Sequence, residues 1–160
     1  MGNRKVRILV DVFMTVFVIL SYIRWSGFSG LVFHGIVGIA FALFAVVHVW
    51  INRKWLVSVS GSIKSGKASE KLKRLYSVDL MLIVGWGTAI ITGFIAIPYF
   101  ISGLPGQVVP ADSALYFSYV AGRIHAISSR IGGGMIIVHI VQHWSQIRSY
   151  FGIKKRNRSI

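Results

Sequence analysis

The 160-residue chain has no cysteine, only four acidic residues and only three prolines. Without cysteine there is no disulfide, no thiolate-held iron–sulfur cluster and no covalently attached c-type haem. Asp11, Glu70, Asp79 and Asp112 are too few carboxylates for a di-iron site. Charge is scarce as well: 14% of residues are charged and 54% are hydrophobic. A soluble domain of this size has too little interior for that much apolar surface. Hydrocarbon is the simpler solvent, and the length suits one domain, residues 1–160.

What is present follows a membrane pattern. Four windows approach the ~20 apolar residues a span requires: about 6–23, 31–51, 80–97 and 124–147. The first follows Arg4, Lys5 and Arg7 as a signal peptide would. Tyr22-Ile23-Arg24-Trp25 offers no small-residue cleavage site, so the segment reads as a retained span. Met-Gly-Asn-Arg-Lys-Val lacks the Ser or Thr that myristoylation favours at its sixth position.

The net charge of +14 is distributed unevenly. Arg4, Lys5 and Arg7 precede span one. Arg53, Lys54, Lys64, Lys67, Lys71, Lys73 and Arg74 lie between spans two and three, and Arg148, Lys154, Lys155, Arg156 and Arg158 lie at or beyond the end of span four. Arg24 and Arg123 fall on the opposite side and Arg130 inside span four. The positive-inside rule then makes this a multi-pass protein of the cytoplasmic membrane with both termini cytoplasmic. The basic stretches suit anionic lipid headgroups, and nucleic acid is set aside as a partner. Tyr22, Trp25, Tyr99 and Phe100 mark the outer interface; Trp50, Trp55, Tyr76, Trp144 and Tyr150 mark the inner one. Trp86 lies mid-span and needs another explanation, a large neighbour or an ordinary adjacent helix.

The stretch 52–77, rich in Ser, Gly and Lys, reads as an inner connector with a short helical turn near 68–75. Ser77 is a candidate cap for span three, with Asp79 in its first turn. Pro98 closes that span. The outer loop, about 101–122, carries Pro105, Gly106 and Pro110, and ADSALYFSYV suggests a short interfacial helix before span four.

One stretch repeats. HGIVGIAFALFAVVH, from His34 to His48, aligns with HAISSRIGGGMIIVH, from His125 to His139. Both have a valine before the second histidine, and Asn52 and His143 each follow four residues later. One hairpin separates the two copies, so spans two and four run parallel. Fourteen residues rise ~21 Å in almost four turns, which puts both rings of a helix on one face at two depths. In a left-handed bundle fourteen is two heptads and the faces coincide. His34 thus pairs with His125 at an outer level and His48 with His139 at an inner one. Zinc requires more ligands than two per level. Haem brings four nitrogens and leaves two axial positions for opposed histidines, so two non-covalent b-type haems (heme b, two per chain) satisfy the pattern. Intramembrane histidines also serve as plain helix–helix hydrogen bonds.

These paired H-x13-H spans resemble the four-helix haem bundle in the N-terminal half of respiratory cytochrome b. With HVWINRKW and HIVQHW after the second histidines, the chain also looks like small prokaryotic cytochrome-b-like membrane proteins of unknown function. Ferric reductases and NADPH oxidases have a similar histidine layout. The resemblance implies His34, His48, His125 and His139 as iron ligands. Span one carries no histidine, unlike b561-type cytochromes that draw a ligand from it, and nothing matches the quinol-oxidising half of cytochrome b or a flavin domain.

The expected fold is therefore an all-α integral membrane four-helix bundle with two bis-histidine haem sites. The expected role is electron transfer across the bilayer, between quinone or a partner redox protein and an acceptor. A self-sufficient oxidoreductase acting on superoxide, ferric iron or quinone is the first alternative, and a haem-free transporter or scaffold the second. Arg24 and Arg123 are placed for outer haem propionates and Arg53 and Lys54 for inner ones, although a plain interfacial anchor is the simpler reading of each. Arg130 lies off the haem face and reads as a structural polar contact. Asp11 and His143 share the inner depth and form a candidate proton-delivering pair, the alternative being a solvated histidine. Met14, Met81 and Met135 read as packing. Gly35, Gly38, Gly85, Gly87, Gly93 and Gly132–Gly134 let either a porphyrin or a neighbouring helix come close.

Overall fold

The computed structural model describes residues 4–23 and 27–150, apart from the side chains of residues 27, 28, 146 and 150. Arg24 and Trp25 lie outside the described residues, as do Lys154, Lys155, Arg156, Arg158 and the ring of Tyr150. The fold is all-helical, with no strand among the described residues: α1 (Arg4–Tyr22), α2 (Gly27–Lys64), α3 (Glu70–Ile95), α4 (Ile97–Ile101), α5 (Tyr116–Gln142) and α6 (Trp144–Tyr150).

Three helices are long and apolar enough to cross a membrane: Ser29–Lys64 within α2, Glu70–Ile95 and Tyr116–Gln142. The first window of the sequence does not join them. Arg4, Lys5, Arg7 and Asp11 occupy the first half of α1, and the uncharged run from Val12 to Tyr22 rises only ~16 Å. A typical hydrocarbon core is ~30 Å thick. On the three long helices large apolar side chains face outward, among them Leu43, Val46, Ile91, Ile131, Ile137 and Val141, each more than 60% exposed. Such a surface is compatible with lipid and costly in water.

The polar stretch after residue 51 is helix rather than connector. α2 continues through it to Lys64. No proline interrupts it, and Val59 is buried while Trp55, Leu56 and Ile63 are half-buried, so an apolar stripe persists among the serines and lysines. The stop is Gly66. Its φ of 72° is left-handed, Lys67 N–H bonds the Ser62 carbonyl at 3.0 Å, and Gly66 N–H bonds Ile63 at 3.1 Å. This is a Schellman cap, which closes the last turn on its own carbonyls. Ser69, not Ser77, then caps α3: its hydroxyl accepts from Leu72 N–H at 3.3 Å, with Glu70 in the first turn. Ser77 lies inside α3 and donates to the Lys73 carbonyl. At 38 residues α2 is ~57 Å long, so the α2–α3 hairpin outreaches a bilayer core at one end.

At the other end α3 stops at Ile95, and Pro98 sits in the first turn of α4, where a missing N–H leaves no intrahelical bond unmade. The segment read as a separate interfacial helix divides: Tyr116–Val120 is already the start of α5. α5 runs straight through Gly132–Gly134 and breaks only at His143. The packing is pairwise. α3 lies along α5 and α1 along α2, with lighter contact between α2 and α3. Phe13 and Phe17 of α1 stack on Phe44 of α2 at 5.2 and 5.6 Å. Tyr22 ties α1 to α5 by donating to the Ser129 carbonyl, and Arg4 donates to the Ser149 carbonyl of α6. The beginning of α1 and the end of the described chain therefore meet at one end of the molecule.

Replacing Gly66 by Ala forces a Cβ into a left-handed backbone at a cost of about 1–2 kcal/mol. Amide exchange across residues 62–72 should quicken roughly fivefold or more, with exchange in the middle of α2 unchanged.

Candidate functional site

The four paired histidines lie on the inner faces of α2 and α5 and are all half-buried. An imidazole in apolar surroundings must satisfy its N–H, and here three of the four rings find an acceptor on the helix paired with their own. His125 Nδ1 is 2.8 Å from the Ala89 carbonyl of α3. His139 Nδ1 is 2.7 Å from Asp79 Oδ1, also on α3. His48 Nδ1 is 2.8 Å from Asp11 Oδ1 of α1, and the His34 ring lies beside the backbone of Ser21 near the end of α1. In the three bonds resolved to an atom, a carbonyl or carboxylate takes the Nδ1 proton. That selects the tautomer whose Nε2 carries the lone pair, the arrangement found behind metal-bound histidines; at His48 the Asn52 amide faces it.

The flanking positions repeat as the histidines do. Asp11 and Ser21 stand ten residues apart on α1, and Asp79 and Ala89 stand ten apart on α3. The repeated unit is therefore a helix pair, α1 with α2 and α3 with α5. In each, the first helix flanks the two histidines of the second.

At the end holding His34, the rings of His34 and His125 face one another with centroids 6.0 Å apart and planes at 87°. Two bonds of the ~2 Å typical of imidazole nitrogen and a metal, plus two ring radii, come to about 6.4 Å. The observed centroid separation is close to that value. Gly93 of α3 makes room for His125: a Cβ there would stand 2.9 Å from Nδ1 of that ring. At the other end, His48 and His139 make no ring contact with each other among the described residues; each is turned to its aspartate.

Between the two levels the interior is filled. Phe41 lies halfway between His34 and His48 and is 4% exposed. Its ring is 4.6 Å from Trp86. Trp86 presses on α5 at Gly132, halfway between His125 and His139, where a Cβ would stand 3.0 Å from the indole. The mid-span tryptophan thus has its large neighbour, a phenylalanine. Its Nε1 has no partner among the described residues.

Other expected residues fall elsewhere. Asp11 pairs with His48, not His143. His143 lies 3.5 Å by Nε2 from Asp79 and stacks on His139 at 4.5 Å. Asp79, His139 and His143 hold their ligand atoms within 4.8 Å of one another, a group able to bind a metal ion. Asn52, one turn beyond His48, bonds the His48 carbonyl at 2.9 Å and lies 3.4 Å from its Nε2. Arg53 is exposed, with its guanidinium 4.0 Å from the Trp50 ring and a bond to the Trp50 carbonyl, the posture of an interfacial anchor. Arg123 is exposed and lines an open cleft of about 290 Å³ with Tyr99, Phe100, Gly106 and Tyr119. Phe100 connects this cleft to His125 at 6.5 Å. Lys54 and Arg130 are exposed, and Arg24 lies outside the described residues. The depth shared by Asp11 and His48 was available in the sequence, and so was the ten-residue spacing repeated in α3.

No family model, curated protein or solved structure matches the chain.

Gly93→Ala should push His125 against a ring position already held by Ala89 and lower stability by about 1–3 kcal/mol. Gly85→Ala on the same helix, with open space at its Cβ, should be neutral or gain up to ~1 kcal/mol from helix propensity. Thermal unfolding in detergent compares the two.

Proposed function

We propose that the chain is a membrane b-type cytochrome, a bundle of α1, α2, α3 and α5 in which α2 and α5 each supply one histidine to each of two non-covalent haems. The observation that carries this is the bracing of three of the four rings through Nδ1 from a neighbouring helix, joined to the 6.0 Å separation of His34 and His125. A histidine kept only as a helix–helix tie can use either ring nitrogen. Three rings here bond through Nδ1, leaving Nε2 for iron. His34 and His125 would hold the outer group, His48 and His139 the inner one. Haem when bound supplies reversible one-electron transfer.

The chain's own residues do the rest. Ala89, Asp11 and Asp79 orient the ligands. Phe41 and Trp86 exclude water between the levels, and Gly93 and Gly132 admit bulk where α3 meets α5. The cleft beside Phe100, walled by tyrosines with Arg123 at its rim, suits a ring-bearing partner such as a quinone. The exposed basic residues at the inner end, Arg53, Lys54, Lys64 and Lys67 among them, suit lipid headgroups or an acidic redox protein. The role is electron transfer across the bilayer, between quinone or such a protein and an acceptor. Turnover by the purified protein alone with superoxide, ferric chelates or quinol would make it an oxidoreductase in its own right.

A second reading has one observation in its favour. Asp79, His139 and His143 offer three oxygen and nitrogen donors to a single divalent ion, which suits zinc with an open fourth position. In that case the chain is a haem-free metal transporter or scaffold.

Pyridine haemochrome analysis of protein made with ample porphyrin supply decides between them. Two haems per chain are expected, falling to one in His34→Ala and in His125→Ala. A colourless protein carrying one equivalent of zinc, lost in His143→Ala, would establish the second reading.

A further inference from the structure

The end of the molecule where α1 begins carries charge that the protein does not neutralise. Arg7 of α1 and Arg148 of α6 are half-buried. Nε of each is enclosed and has no hydrogen-bond partner among the described residues. The ion pairs among those residues involve neither guanidinium. Arg4, one turn before Arg7, donates to the carbonyl of Ser149, the residue after Arg148. That bond brings both arginines to the junction of α1 with α6.

A guanidinium taken partly out of water is costly unless an anion offsets its charge. The chain's own carboxylates are committed elsewhere. Asp11 bonds His48, Asp79 bonds His139, and Glu70 pairs with Lys73. Asp112, the fourth acidic residue, lies between α4 and α5, past the opposite end of α3. The counter-anion therefore comes from outside. Only Nε of each arginine is enclosed, so the Nη edge remains open to it. A phosphate offers paired oxygens that match this planar fork, and the reduced dielectric around a half-buried guanidinium strengthens the pairing. The surroundings point to a lipid as its source. Trp144 opens α6 and is 51% exposed, and Trp50 is 64% exposed, the placement of indoles at headgroup depth. Basic pockets between helices at such a depth take anionic headgroups. Lys64 and Lys67, by contrast, are exposed at the tip of the α2–α3 hairpin, where water solvates them.

We infer that Arg7 and Arg148 form a discrete site for the phosphate of an anionic phospholipid, seated where α1 meets α6. This rests on the membrane location proposed above and is independent of what the histidines hold. The bound headgroup joins α1, the helix too short to span, to the end of the long helix α5 through α6.

Native mass spectrometry of the full chain, released from vesicles of equimolar phosphatidylcholine and phosphatidylglycerol, tests this. The wild type should retain one phosphatidylglycerol per chain in preference to phosphatidylcholine. Arg7→Gln and Arg148→Gln should each weaken that retention about fivefold, while Lys64→Gln and Lys67→Gln leave it unchanged. If the glutamine variants do not fold, Arg7→Lys and Arg148→Lys decide. They keep the charge and lose the fork, so retention should fall while the preference for phosphatidylglycerol persists. Equal retention of the two lipids, arginine variants that bind like the wild type, or equal losses in the lysine controls overturn the inference. So does displacement of the lipid by inorganic phosphate at matched concentration, which would make free phosphate the ligand. Loss of haem from the arginine variants with lipid retention unchanged would make a haem carboxylate the partner and also overturn it. A wild type that stays soluble without detergent or lipid overturns the membrane location as well.

Discussion

The bond from an imidazole Nδ1 to an acceptor on the adjacent helix is the constraint around which this molecule is built. A polar ring on an apolar helix costs several kcal/mol if left unmatched in hydrocarbon. Matching it requires a second helix at a fixed height and rotation. His125 does this to α3 through Ala89, His139 through Asp79, and His48 to α1 through Asp11. The pairing of α3 with α5 and of α1 with α2, the two closest in the fold, therefore follows from the same contacts that orient the rings. Fold and site are not separate designs here. The braces that hold the helices in register also leave Nε2 of those histidines with its lone pair.

The middle of the structure enforces the division into two levels. Phe41 and Trp86 occupy the space halfway between the histidines of each helix, and Gly132 lets the indole sit against α5. Aromatic packing at this height separates the two levels. It also accounts for a tryptophan far from either interface, the one aromatic that the interfacial belt does not explain.

Much of this is visible in the sequence, and the omissions have physical causes. The H-x13-H repeat places His34 beside His125 because helical rise and rotation depend only on residue number. The partners of the aspartates are not visible in the same way. Depth along a helix says that Asp11 and an inner histidine share a level, but not which histidine, since azimuth depends on packing. Depth alone matches Asp11 to His143, while the structure gives it His48 and gives His143 a share of Asp79. The ten-residue spacing common to Asp11–Ser21 and Asp79–Ala89 carries the missing information, because it matches two helices as units rather than two residues by height. The inner connector misled through polarity: serines and lysines signal a loop, yet an unbroken apolar stripe and a late Gly66 stop keep residues 52–64 helical. α1 misled in the opposite sense, since its apolar half hides how much charge its first half carries.

The proposed cytochrome holds two metals, each between a histidine of α2 and a histidine of α5. Electron paramagnetic resonance of the oxidised protein, with spins counted against the chain, addresses this most directly. Two low-spin ferric signals per chain, the signature of iron with two imidazole ligands, are what the geometry predicts. A high-spin ferric signal, or a spectrum with no iron in it, would contradict it.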